Sequence, residues 1–193
     1  MKKSIYWITE TAALLALLIA LQWAGSQIPV PGIKQLVTGS FVNCVLLVAA
    51  LLVGKSSGLV IALVSPVFAF LLQIAPPFIL SVPLIALANV SYILLVSLIA
   101  GKTGNPLWRQ PVALATGSVV KFGLLYLLGV KLFGGLLFNT LSGQTLLGME
   151  LMSQKILKQM TGAFSVTQLI TALIGGMVAL LIIPVLRKAI RKA

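Results

Sequence analysis

Catalysis and metal binding need groups that hold protons, charge or lone pairs, and this sequence offers few of them. It has no His and no Asp, and Glu occurs only at positions 10 and 150. General bases, catalytic dyads and clusters of metal ligands cannot be assembled from that set. Neither an enzymatic activity nor a metal or other cofactor is expected. No P-loop or other nucleotide fingerprint occurs, so the chain does not itself hydrolyse ATP, and any active work must draw on a partner or a gradient. The informative group is a lysine. Lys121 falls near the centre of an apolar run, where inserting a lysine costs about 2.5–3.5 kcal/mol. A polar cavity, in which the amine meets an anionic or strongly hydrogen-bonding ligand, accounts for that cost. Pairing with carbonyls or snorkelling to an interface is the alternative, and the depth of Lys121 argues against it.

Other polar side chains interrupt the apolar runs at similar or shallower depth: Asn43, Asn89, Tyr92, Tyr126, Gln168 and Thr171. Asn89 and Tyr92 are three residues apart and share a helix face, as do Gln168 and Thr171. Together with Lys121 they could line one inward-facing pocket. Taken singly, each is better explained as an interhelical hydrogen bond that holds a bundle together. Lys131 lies close enough to a helix end to snorkel, so it points to neither account. A mostly apolar cavity with a few polar groups is the usual form of a small-ligand site.

The elements that must position these residues follow from hydropathy. Hydrophobic residues make up 60% of the chain and charged residues 8%, with apolar runs recurring from Ile5 to Leu186. Lipid offers backbone amides no water, so spanning segments must be helices or a closed barrel. The runs are about 18–23 residues long and lack the alternation of barrel strands, which selects helices. We read an all-α, compact six-helix membrane bundle, one domain over residues 1–193. Its helices run from Ser4 to Trp23, Leu36 to Val53, Ser57 to Gln73, Leu80 to Ala100, Pro111 to Phe133 and Ala163 to Leu186. Loops are expected at Ala24 to Gln35 (with Pro29, Pro31 and Gly32), Ile74 to Ile79 and Gly134 to Gly162, and Pro66 is expected to kink the third helix. Met149, Met152, Ile156 and Met160 follow a helical spacing, which predicts a short amphipathic helix, either a tether or a lid.

The net charge of +12 does not signal nucleic acid, because the basic residues sit between or beyond the apolar runs. They read instead as topology determinants facing anionic lipid. With both termini inside, nine basic residues fall on the inner side (Lys2, Lys3, Lys55, Lys102, Arg109, Arg187, Lys188, Arg191 and Lys192) and three on the outer (Lys34, Lys155 and Lys158). This satisfies the positive-inside rule. The first run is long enough to span, which argues against a signal peptide. Cys44 is the only cysteine, so no internal disulfide forms. No internal repeat is apparent, which argues against an inverted-repeat transporter.

Ala12, Ala16 and Ala20 line one ridge of the first helix at four-residue spacing, which permits close helix approach, either within the bundle or to another subunit. This ridge, the six spans and the cytoplasmic amino end together resemble the substrate-binding S-components of energy-coupling factor (ECF) transporters of vitamin type. The likeness extends over the whole chain, including TGSFVNCVLLVAALLVGKSSGLVIALVSP and VPLIALANVSYILL. The resemblance implies a multi-pass subunit of the bacterial cell membrane that captures a vitamin or related micronutrient from outside. It also implies a pocket in the outer half walled by the fourth to sixth helices. The ridge of Ala12, Ala16 and Ala20 would dock on a transmembrane coupling subunit driven by two cytoplasmic ATPases. A self-contained channel or facilitator is the alternative. Metal-transporting relatives use an amino-terminal histidine, which this chain lacks. A cationic vitamin such as thiamine would want acidic or aromatic partners, whereas Lys121 favours a carboxylate-bearing or neutral polar compound such as pantothenate, nicotinate or lipoate. Biotin ranks lower, because the arginine and aspartate signature of the biotin members is missing.

Overall fold

A computed structural model describes residues 2–101 and 108–190. Lys102, Arg191 and Lys192 of the charge count lie outside the described residues. The main elements are α1 (Lys2–Ser26), α2 (Pro31–Val53), α3 (Lys55–Leu71), α4 (Ser81–Ala100), α5 (Arg109–Leu136), α6 (Phe138–Leu141), α7 (Gln154–Ala163) and α8 (Val166–Ile190). A two-residue hairpin of β1 (Thr145–Leu146) and β2 (Met149–Glu150) precedes α7. Helices α1, α2, α4, α5 and α8 are long and apolar enough to cross a bilayer, and α3 is shorter at 17 residues. At 1.5 Å per residue α3 spans about 26 Å, close to the lower limit for a hydrocarbon core. The expected all-α membrane bundle is therefore observed.

Several boundaries differ from the sequence reading for identifiable reasons. Helix α2 starts at Pro31 rather than Leu36, so the loop expected at Ala24 to Gln35 shrinks to Gln27–Val30. Pro31 occupies the first turn, where its missing N–H costs nothing and its fixed φ suits a helix. A proline read as a loop signal is thus a helix start. Pro66 sits inside a continuous α3. The last five residues of α2 and the last twelve of α5 wind as π-helix, a wider ladder that is rare in proteins. In the 134–162 stretch, Met149 lies on β2 and Met152 on an isolated bridge to Ser142, so the methionine spacing is not one helix. Helix α7 begins later, where the Ser153 side chain accepts a hydrogen bond from the Ile156 backbone N–H. Leu147 and Gly148 both take positive φ (53° and 74°), as a two-residue primed hairpin turn requires.

Helices α2 and α8 form the densest pair, flanked by α5 against α8 and α4 against α5, while α1 lies on the periphery against α2 and α3. The α2–α8 approach is close because Gly175 faces the Ser40 carbonyl and the Asn43 Cβ, leaving no room for a side chain there. Arg187 Nη2 donates to the Leu51 carbonyl at 2.9 Å, and Thr11 Oγ1 donates to Ser57 Oγ at 2.9 Å. These contacts gather the start of α1, the end of α2, the start of α3 and the end of α8 at one end of the bundle, here called the terminal end. Lys34, Lys155 and Lys158 belong to elements at the opposite end. The apolar interior divides in two. One cluster, with Leu18, Leu46, Leu47, Ile61, Ile93 and Ala179, fills the terminal half. The other gathers Phe78, Leu84, Leu125, Met152, Ile156, Met160 and Phe164 under the connecting segments of the opposite end.

Candidate functional site

A cavity lies between the two apolar clusters. Its volume is about 60 Å³, against about 10–15 Å³ for one water, so it is sized for a compact small molecule. Helices α1 to α5 and α8 all contribute to its wall. The expectation of a pocket walled by the fourth to sixth helices is therefore too narrow, because α1, α2 and α3 also turn polar side chains inward.

The floor is built around Lys121. Its Nζ donates to Asn43 Oδ1 at 2.5 Å and lies over the Tyr92 ring, 5.4 Å from the centroid, in cation–π range. Asn43 is held in turn: its Nδ2 donates to the Gly39 carbonyl at 2.8 Å and to Thr171 Oγ1 at 3.5 Å. This network sets the orientation of the amide and leaves its oxygen for the lysine. Thr171 is placed by α8, and Gly39 opposite it has no space for a side chain. Lys121 is 2% exposed and Asn43 1%. Twelve residues separate Lys121 from the start of α5 at Arg109, about 18 Å of helix, which puts the amine near mid-membrane. An ammonium carries three donors and Asn43 takes one, so the remaining donors are available to a ligand oxygen.

Tyr92 supports the floor from behind, its Oη donating to the Ala172 carbonyl at 3.3 Å. Asn89, one turn nearer the far end on α4, lines the wall. Gln168 lines the mouth, together with Gln35, Phe164 and the Ile74–Pro76 segment of the α3–α4 connection. The sequence-derived set is thus largely gathered: Lys121, Asn43, Asn89 and Gln168 line the cavity, and Tyr92 and Thr171 hold its floor from outside. Tyr126 is placed elsewhere. Five residues beyond Lys121, it is turned about 140° around the helix, where it packs on Phe122 at 5.8 Å and under Lys131 Nζ at 5.7 Å. Lys131 accordingly stays with Tyr126, away from the cavity lining.

Sequence reasoning missed Gln22, Gln35, Thr38 and Ser65. Gln22 Nε2 donates to the Ser65 carbonyl at 3.3 Å across α1 and α3, and Gln35 Nε2 donates to the Ala163 carbonyl at 3.1 Å, joining α2 to the end of α7. Gln22, Thr38 and Ser65 carried the same signal as Asn43, a lone amide or hydroxyl in an apolar run, whereas Gln35 fell in the expected loop. Eight buried side-chain nitrogen and oxygen atoms find no partner among the described residues, and five of them belong to this lining: Gln22 Oε1, Thr38 Oγ1, Ser65 Oγ and both amide atoms of Asn89. A buried polar atom without a partner costs about 1–3 kcal/mol, so such a concentration marks a surface that expects partners from outside the protein. No group of three or more His, Cys, Asp or Glu that could hold a metal occurs among the described residues.

Ala12, Ala16 and Ala20 are exposed, whereas Thr11, Leu18 and Gln22 on the other side of α1 are buried. The alanine ridge therefore points away from the bundle and takes no part in its internal packing.

Comparison with curated proteins and with solved structures yields no match. The sequence model of the family described as "ECF transporter, substrate-specific component" matches residues 10–187, nearly the whole chain. A multi-pass bundle of apolar helices agrees with that match. The chain belongs to the family of substrate-specific components of ECF transporters, and is a substrate-binding membrane subunit.

Proposed function

We propose that this subunit captures a small anionic micronutrient of vitamin type from outside the cell and delivers it inward with a coupling subunit and two cytoplasmic ATPases. The observation that carries the reading is the floor of the cavity. A fully buried lysine amine, aimed by Asn43 and Tyr92 and flanked by no acidic side chain in the lining, is the complement of a carboxylate. The terminal end faces the cytoplasm. Lys55, Arg109, Arg187 and Lys188 lie there, while Lys34, Lys155 and Lys158 lie opposite, in keeping with the positive-inside rule. The cavity mouth, formed by Gln35, Gln168 and the α3–α4 connection, then opens outward. Family membership favours this importer subunit over a self-contained channel.

The outward-facing alanines supply the docking ridge. Small side chains let a partner helix approach closely, and a large one blocks it. Co-expression with the coupling subunit and ATPases should give a complex that Ala16→Trp abolishes, while ligand retention by the isolated chain is unchanged because Ala16 is exposed and lies outside the cavity lining. Failure of the wild type to co-purify, or indifference to Ala16→Trp, would refute the assignment of the ridge.

A further inference from the structure

The lysine accounts for one end of a ligand. The orphaned wall atoms describe the rest of it. Asn89 is 1% exposed, lines the cavity, and has neither its carbonyl oxygen nor its amide nitrogen bonded among the described residues. Gln22 uses its nitrogen on the Ser65 carbonyl and leaves Oε1 unpartnered, and Ser65 Oγ beside it is unpartnered too. An apolar ligand would leave all of these unsatisfied, whereas a group presenting both a donor and an acceptor would meet them.

Their depth can be read along the helices. Asn89 is three residues nearer the mouth than Tyr92, and Thr38 five residues nearer than Asn43, which places them about 4–8 Å above the Lys121 floor. The lining holds no acidic side chain, so a ligand amine would be buried without a counter-charge, which disfavours zwitterions and cations.

We infer that the ligand is a compact monocarboxylate bearing an amide or hydroxyl group about 4–8 Å from its carboxylate, bound with the carboxylate innermost on Lys121 and the neutral group on Asn89 and Thr38, in the wall that Gln22 and Ser65 also line. This rests on the reading that Lys121 receives an anion, and it narrows that reading. Fatty acids, dithiolane acids and other carboxylates with hydrocarbon bodies are excluded, as are amino acids.

The compound that the protein retains from the cell provides the test. Wild-type protein is purified from cells grown in rich medium and denatured, and the released small molecules are identified by mass spectrometry and fragmentation. A compound with one carboxyl group, at least one amide or hydroxyl and no amine is expected. Release of a compound without a carboxyl group, with an amine or with a hydrocarbon body would overturn the inference. So would release of nothing, since the orphaned atoms would then be satisfied by water alone.

Asn89→Leu supplies the second arm. Leucine keeps the branched shape of asparagine and brings no polar atoms, and the cavity has room for its extra bulk, so ligand-free protein should melt higher than wild type while the retained compound falls at least tenfold. A lower melting temperature would make Asn89 a structural hydrogen-bonding residue and sink the assignment. Co-purification with the coupling subunit separates the two levels. A complex that forms but carries a different class of compound refutes this inference alone. A compound of the expected class on a chain that never binds the coupling subunit refutes the importer reading alone.

Discussion

Buried polar side chains are treated differently in the two halves of the bundle. Toward the terminal end, Thr11 meets Ser57 and Arg187 meets the Leu51 carbonyl, within a wall of Leu46, Leu47, Ile61 and Ile93. The three unpartnered atoms not assigned to the cavity, on Trp7, Ser97 and Ser118, are scattered over three helices. Toward the opposite end, Gln22, Thr38, Ser65 and Asn89 turn five unpartnered atoms onto one cavity. The first half is arranged for its own stability, whereas on the proposed reading the second gives up stability that a bound molecule restores. Marginal proteins tolerate such a cost where function requires it.

Three substitutions test this contrast. The largest expected effect is in the terminal half: Leu46→Ala should destabilise the ligand-free protein by about 2–5 kcal/mol, the range for emptying a buried leucine site, with ligand affinity unchanged. Thermal unfolding in detergent with parallel binding titration checks it, and a large loss of affinity would show that the halves are not separable. Next, Lys121→Met should weaken binding of the native anion by more than about tenfold, equivalent to at least about 1.4 kcal/mol, without lowering ligand-free stability. Unchanged affinity would remove Lys121 from the site. The smallest is Thr11→Val, which breaks a satisfied pair and should lower the melting temperature by the equivalent of about 1 kcal/mol. Its sign is opposite to that expected for Asn89→Leu. If both shifts had the same sign, the distinction between satisfied and unsatisfied polar groups would be lost.

How much of this was legible in the sequence follows from what each signal costs. The spans could be read because lipid admits few alternatives to an apolar helix, and Lys121 stood out because a lysine at that depth is expensive. Asn43 and Asn89 were visible for the same reason. Gln35 fell within the expected loop, and Gln22 and Ser65 carried the same kind of signal as the asparagines but went unread, because spacing alone does not say which way a lone amide or hydroxyl faces. That depends on how α1 and α3 pack, which is tertiary information. The methionine pattern misled because α7 starts at Gln154, after a hairpin whose turn at Leu147 and Gly148 interrupts the helical spacing. Tyr126 misled because a polar side chain at a suitable depth on α5 need not share the helix face of Lys121.

The junction of α7 and α8 has a kinetic consequence. Only Phe164 and Ser165 separate the two helices, Phe164 lines the cavity, and the last turn of α7 is latched to α2 by Gln35 on the Ala163 carbonyl. A change in how α7 sits therefore reaches the cavity wall directly through Phe164. A substitution at Gln35 that cannot bond the carbonyl should shorten the ligand's residence time, read from dissociation rates, and an unchanged residence time would separate the latch from the site.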